Sequence, residues 1–148
     1  VAFQSPEIPE QGRLPAAADQ LLKLTALNES HYEANIELAA LLERLHDPAG
    51  AARALERAVY ISPNDAQLHT RLAALYAAVG DRAGAVRERR AVVALDPVDR
   101  AEALYQLARA HLAAGDAAAA RREVLRALEE APSFERAQQL LLELRKGK

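Results

Sequence analysis

The sequence has no cysteine, no methionine and no tryptophan, and only six aromatic residues in 148 positions. Without cysteine there can be no disulfide framework and no thiol chemistry, although neither absence assigns a compartment. A chain that lacks methionine and begins at Val1 reads as a segment of a longer parent. The scarcity of aromatics leaves alanine as the dominant apolar residue, which predicts helices that approach one another closely with no large pocket between them. Net charge is also low, although charged residues make up 27% of the chain. The formal net charge is −2, so neither a nucleic-acid binder nor a membrane-surface binder is expected. The uninterrupted apolar runs are too short to span a bilayer, and no stretch reads as a signal peptide. The first half of the sequence, residues 1–74, carries 6 basic and 10 acidic residues against 13 and 11 in the second. That imbalance could orient a partner but is too small to steer one strongly.

What is present in abundance is repetition. Pro63, Pro97 and Pro132 lie 34 and 35 residues apart. A Leu-Ala pair precedes each at a matching distance, as Leu38-Ala39, Leu72-Ala73 and Leu107-Ala108. A turn follows each pair, as His46-Asp47, Gly80-Asp81 and Gly115-Asp116, and then a small residue, Ala51, Ala85 or Ala120. A period of this size identifies stacked supersecondary units, each unable to bury its apolar face alone. Helices are expected at about 31–45, 48–60, 65–79, 82–94, 100–114 and 117–130, with Ser62, Asp96 and Asp99 as turn or N-cap residues. The loop after Pro97 holds one residue more than the loop after Pro63, which accounts for the longer interval. Residues 133–146, with Phe134, Ala137, Leu141 and Leu144 in one stripe, read as a closing helix that is apolar on one side only. Residues 15–28 read as a helix opened by Pro15, and Leu27-Asn28-Glu29-Ser30 aligns with Ile61-Ser62-Pro63-Asn64, so this helix is the second half of a repeat. Residues 1–14, with Pro6, Pro9 and Gly12, read as an extended arm or linker.

The pattern resembles the tetratricopeptide repeat family. The positions that carry the resemblance are Leu38, Ala39, Leu42, Ala51, Leu55, Ala58 and Pro63 in one repeat, and Leu72, Ala73, Tyr76, Gly80, Ala85 and Pro97 in the next. They recur as Leu107, Ala108, Gly115, Ala120, Val124, Ala127 and Pro132. The resemblance implies an all-α fold, a right-handed superhelical stack of antiparallel helix pairs. It divides residues 15–148 into a half-repeat at 15–30, repeats at 31–64, 65–99 and 100–132, and a capping helix at 133–146. Three departures stand out. The column where the family often has tryptophan reads Asn35, His69 and Leu104; His46 replaces a turn glycine; and Arg89 replaces the large apolar residue seen as Leu55 and Val124. The stem of Arg89 can cover apolar surface while its head reaches water.

Catalytic chemistry finds no foothold. His31, His46, His69 and His111 form no metal-ligand spacing, Gly80 and Gly115 are turn glycines rather than a phosphate loop, and the serines lie at element boundaries. The arginine column Arg53, Arg87 and Arg122, with Arg57 and Arg126 one turn on, reads as a solvated face because Glu56, Glu88 and Glu123 are interspersed. What the resemblance implies instead is a non-catalytic scaffold holding a protein or peptide in a groove lined by the first helices. The groove residues are then Glu33, Ile36, Glu37 and Ala40, followed by Gln67, Thr70, Arg71 and Ala74, and by Glu102, Tyr105, Gln106 and Arg109. The family's clamp for chaperone tails uses Lys and Asn where this sequence has Ile36 and Ala40, so a chaperone-tail partner is not expected. The alternative is a structural tail of a larger bacterial, exported enzyme, acting by self-association or by docking onto a domain of its own parent chain. No cofactor, metal, nucleic acid or membrane insertion is expected.

Overall fold

The structure, a computed structural model, describes residues 10–27 and 31–147, with side chains in the first stretch from residue 14 to residue 24. The described residues form eight helices and no strand: α1 (Glu10–Leu27), α2 (Tyr32–Arg44), α3 (Pro48–Ile61), α4 (Ala66–Ala78), α5 (Arg82–Ala94), α6 (Arg100–Ala113), α7 (Ala117–Glu130) and α8 (Glu135–Lys146). The chain divides into two compact units, residues 1–63 and 64–148. In the first, α2 packs against α1 and α3; in the second, α4 to α8 each pack against the next helix in the chain.

The turns show why these helices stop and restart where they do. His46, Gly80 and Gly115 have φ of 58°, 82° and 83°, the left-handed conformation that reverses a chain after a helix. The following aspartate then acts twice. Its N–H donates to a carbonyl five residues back, Asp47 to Leu42 at 2.8 Å, Asp81 to Tyr76 at 2.8 Å and Asp116 to His111 at 2.9 Å, which closes the helix just ended. Its carboxylate accepts from the N–H three residues on, Gly50 at 2.9 Å, Gly84 at 2.9 Å and Ala119 at 3.0 Å, which opens the next helix. Asp65 and Asp99 cap α4 and α6 with their carboxylates alone, Asp65 accepting from the N–H groups of Gln67 and Leu68 and Asp99 from that of Glu102. Each cap stabilises its helix by about 1 kcal/mol. Ser62, expected as a cap or turn residue, instead terminates α3, and Asp96 is a turn residue with φ of 53°. Neither side chain was needed, because the aspartate column already supplies the acceptors.

Helix α1 corrects the arm expected at residues 1–14 over its last five residues, 10–14. It begins at Glu10 and carries Pro15 inside. Proline removes the N–H that would reach the carbonyl of Gln11, a local cost that does not stop favourable helix formers such as Glu10, Gln11 and Arg13 from continuing the turn before it. Residues 1–9 and 28–30 lie outside the described residues.

The buried residues follow the repeat. Leu38, Ala39, Ala51, Ala54, Leu55 and Ala58 are inaccessible in the first unit. In the second, Val92, Leu104, Leu107, Ala108, Val124, Ala127, Ala137 and Leu140 belong to one core. Burial of each leucine or valine side chain contributes roughly 1.5–3 kcal/mol. The tryptophan column is filled differently in each pair. Asn35 is fully buried and accepts from Arg57 Nε at 2.8 Å; His69 Nδ1 lies 2.5 Å from Glu88 Oε2, both groups buried; Leu104 is apolar and wholly buried. Glu88 and Glu123 thus do not belong to a solvated face. Glu123 is buried as well and accepts from Arg126 Nη1 at 2.9 Å. A buried carboxylate needs such a donor, since an unpaired one would cost several kcal/mol.

Candidate functional site

The first helix of each pair presents some of its residues away from the core. On α2, Glu33, Glu37 and Ala40 are exposed and Ile36 is half-buried. On α4, Thr70 and Ala74 are exposed; Thr70 bonds its hydroxyl to the carbonyl of Ala66 at 2.8 Å. On α6, Arg109 is exposed, and Gln106 is half-buried and donates to Glu102 Oε1 at 2.8 Å.

Within the second unit these residues border open clefts. One, of about 540 Å³, lies between α4, α5 and α6 and is lined by Ala74, Ala77 and Ala113 together with Arg82, Arg89 and Arg109. A second, of about 600 Å³, lies between α6 and α8 and is bordered by Tyr105, Arg109 and Arg136. A third, of about 400 Å³, takes in Thr70, Arg89, Glu102 and Gln106. The structure therefore gathers Ala74, Gln106 and Arg109 around the first cleft. Arg71 borders none of the three. Alanine has the opposite effect here to the one composition suggested. On the buried face it draws helices together; on the open face its short side chain leaves a trough.

Tyr105 is not an open contact residue. It is buried, its ring centroid 5.2 Å from that of Phe134 in an edge-on arrangement. The Arg136 guanidinium lies 5.0 Å above the Tyr105 ring and that of Arg109 5.9 Å, each contact worth about 0.5–1 kcal/mol where exposed. Tyr105 thereby shapes the wall of the second cleft and positions Arg109 at the boundary between two clefts.

Arg89 is the residue that sequence reasoning left outside the groove. It projects from α5, a second helix of a pair, and is half-buried beside two of the clefts. Burial, and next the charge of Arg109, lower the affinity of its guanidinium for its proton. The signal that could have found it was already visible, since a cation stands in a column otherwise filled by Leu55 and Val124. Among the described residues no group of three or more histidines and carboxylates could hold a metal ion, and no helix is long and apolar enough to cross a membrane.

The architecture defines a class, an all-helical repeat of the tetratricopeptide type. The tetratricopeptide repeat family model matches residues 101–134, which include α6 and α7 from Ala101 onward, and the whole fold agrees with solved proteins of that type. The structure of MamA covers 93% of this chain and 80% of its own at 19% identity, with a TM-score of 0.72. YrrB, described as a tetratricopeptide protein with an unusual peptide-binding site, covers 92% and 68% at 22% identity, with a TM-score of 0.65. The first tetratricopeptide domain of Spaghetti (RPAP3), solved with the HSP90 peptide SRMEEVD, covers 80% and 94% at 19% identity, with a TM-score of 0.64. At these identities the likeness is one of fold. No curated protein matches the sequence.

Proposed function

We propose that this chain is a non-catalytic scaffold that holds a peptide segment of another protein along the clefts of α4, α6 and α8. The observation that carries the reading is the pair of open clefts sharing Arg109, each inside the size range of ligand sites. Their walls combine short apolar side chains, which let a peptide backbone come close, with guanidinium and amide groups that can bond its carbonyls or carboxylates. Thr70, Ala74, Gln106 and Arg109 contribute directly, with Tyr105 as the support beneath. Glu33, Ile36, Glu37 and Ala40 offer the corresponding surface on α2. The peptide-bound neighbour RPAP3 and the peptide-binding neighbour YrrB support the use of such a fold in this way.

The test is selection from a displayed random-peptide library with the full chain, repeated on Ala74→Trp and Ala113→Trp. Both alanines are exposed, so the bulky replacements should fill the trough without disturbing the core, and an unchanged circular dichroism spectrum checks this. Enriched peptides should bind the parent chain and lose at least tenfold in affinity for both variants. Peptides that bind all three equally, but fail on Arg53→Glu with Arg122→Glu, would place the working surface on the second helices instead.

A further inference from the structure

We infer that α1 and α8 are complementary halves of one repeat, and that the chain associates head to tail, the α8 of one copy docking on the α1 of the next. The partner is a second copy of this chain, and the peptide reading neither supports nor requires it.

The repeat frame gives each of these helices its place. α8 follows Pro132 as α4 follows Pro63 and α6 follows Pro97, with the N-cap two residues after each proline, and it packs on α7 as α6 packs on α5. It is a first helix, and among the described residues no second helix follows it. α1 ends at Leu27 in register with α3 at Ile61, and it packs on α2 as α5 packs on α6. It is a second helix, and among the described residues no first helix precedes it. Half a repeat cannot bury its apolar face alone, and both halves leave the expected face open. Leu142 on α8 stands in the column of Leu38, Leu72 and Leu107, which are 0%, 2% and 3% exposed, yet Leu142 is 50% exposed. On α1, Ala17, Leu21 and Leu24 stand where α3 has Ala51, Leu55 and Ala58, all inaccessible. Here Ala17 and Leu21 are only half-buried and Leu24 is 43% exposed.

The internal pairs indicate what covers these faces, because each matches polar residues across fixed columns. The α4–α5 pair joins His69 to Glu88 and sets Arg87 over the Tyr76 ring at 5.4 Å. In the same columns Gln139 takes the place of His69 and Gln20 that of Glu88, two amides that can each donate and accept. Lys146 takes the place of Tyr76 and Asp19 that of Arg87, so opposite charges meet. All four are exposed. Asp19 lies 3.1 Å from Lys23 on its own helix, an exposed pair that contributes little and leaves the carboxylate able to accept from a second cation. Net charge points the same way. Residues 1–63 carry 5 basic and 9 acidic residues and residues 64–148 carry 14 and 12, so α8 is drawn to α1 while two α1 faces repel each other. Glu143 stands in the small-residue column of Ala39, Ala73 and Ala108, which holds the joined helices further apart than an internal pair and makes the contact reversible. Two copies joined in this way still offer one free α1 and one free α8, so assembly continues to an open chain or a closed ring.

Sedimentation velocity on the full chain makes the experiment. The mean mass should rise with concentration to at least twice that of the monomer, and association should weaken as salt rises. Leu24→Asp and Leu142→Asp each place a charge on one open face. Both leucines are exposed, so the circular dichroism spectrum should be unchanged. Either variant alone should stay monomeric. Their equimolar mixture should form a one-to-one dimer and nothing larger, because the intact α8 of the first variant meets the intact α1 of the second. Lys146→Asp should weaken association at least tenfold, and adding Asp19→Lys to the same chain should restore it. A parent chain that stays monomeric at every concentration overturns the inference, whether α1 is then covered by residues 1–9 or by nothing. If one leucine variant abolishes association and the other leaves it intact, two copies meet through a single face, and the head-to-tail contact falls. Assembly that survives both variants overturns it as well.

Discussion

Helices α2 and α3 meet through Leu38, Ala54 and Leu55, all fully buried, whereas α4 and α5 carry Leu72, Glu88 and Arg89 at the same points of the frame. The backbone turn and the capping aspartate are common to both pairs. The difference lies in what each pair does with its second helix. The first pair closes with an apolar core and an amide tie from Asn35 to Arg57. The second exchanges an alanine for a carboxylate that must be matched by His69, and a leucine for a cation that faces a cleft. A repeat frame tolerates such exchanges because turns and caps, rather than the central side chains, set the helix ends. The pair that departs furthest from the apolar rule borders the candidate clefts, together with α6 of the next pair, as expected where function competes with packing.

The sharpest way to break this comparison is to import the departure. Leu55→Arg places a cation in the first pair, where Leu55 is wholly inaccessible and no cleft receives a head group among the clefts described. It should lower the unfolding free energy by about 3–5 kcal/mol, as for other uncompensated buried charges. Urea unfolding measures it. A loss below about 1 kcal/mol would show that the two pairs are equally permissive and that Arg89 signals nothing.

A smaller effect is expected at the turns, where the pairs should be interchangeable. His46 adopts φ of 58° and Gly80 φ of 82°. For a residue with a Cβ this conformation costs roughly 1–2 kcal/mol, so His46→Gly should stabilise by about 1 kcal/mol and Gly80→Ala should destabilise by a similar amount. Nothing lies within 4 Å of a Cβ built on Gly80, so the penalty there is one of backbone conformation alone. Thermal melts of the two variants moving in the same direction would contradict the shared-turn account.

The smallest expected effect extends the comparison to the third pair. His111 on α6 is buried, and burial, followed by the charge of Arg90, pushes its pKa below the ordinary 6.5. Asp116 and Glu123 act in the opposite sense, and Arg122 adds to the lowering. A base with a lowered folded-state pKa is preferentially neutral in the fold, so protons bind the unfolded chain more readily. Its contribution to stability is present above pH 6.5 and lost as pH falls below that value toward the folded pKa. Between pH 7.5 and 5 the parent should lose roughly 1–3 °C more in melting temperature than His111→Gln. Equal losses would mean that His111 titrates alike in both states.

The amino-acid sequence alone determined the class of fold and the places where its helices turn. A period near 34 residues repeats each local requirement three times, and those requirements act over short distances: a small residue where helices touch, a left-handed residue where the chain reverses, an acceptor where N–H groups emerge. Even the exception at His46 was legible as a turn, and the structure gives it the glycine conformation. The role of the aspartate after it was visible as a repeated letter but not read as a double cap. The start of α1 was missed because a proline marks a helix's first turn only by preference, and Pro15 sits later. The expected groove residues take different places in the structure. Thr70, Ala74, Gln106 and Arg109 border clefts, Tyr105 is held under Phe134 and Arg136, and Arg71 borders none of the clefts. Those outcomes belong to tertiary structure because a long side chain can reach several neighbours, and its destination depends on three helices at once. Arg89 is the clearest case. Its position in the repeat was evident from the chain, but whether its charge met water, an acid or another arginine was decided only when α4, α5 and α6 came together.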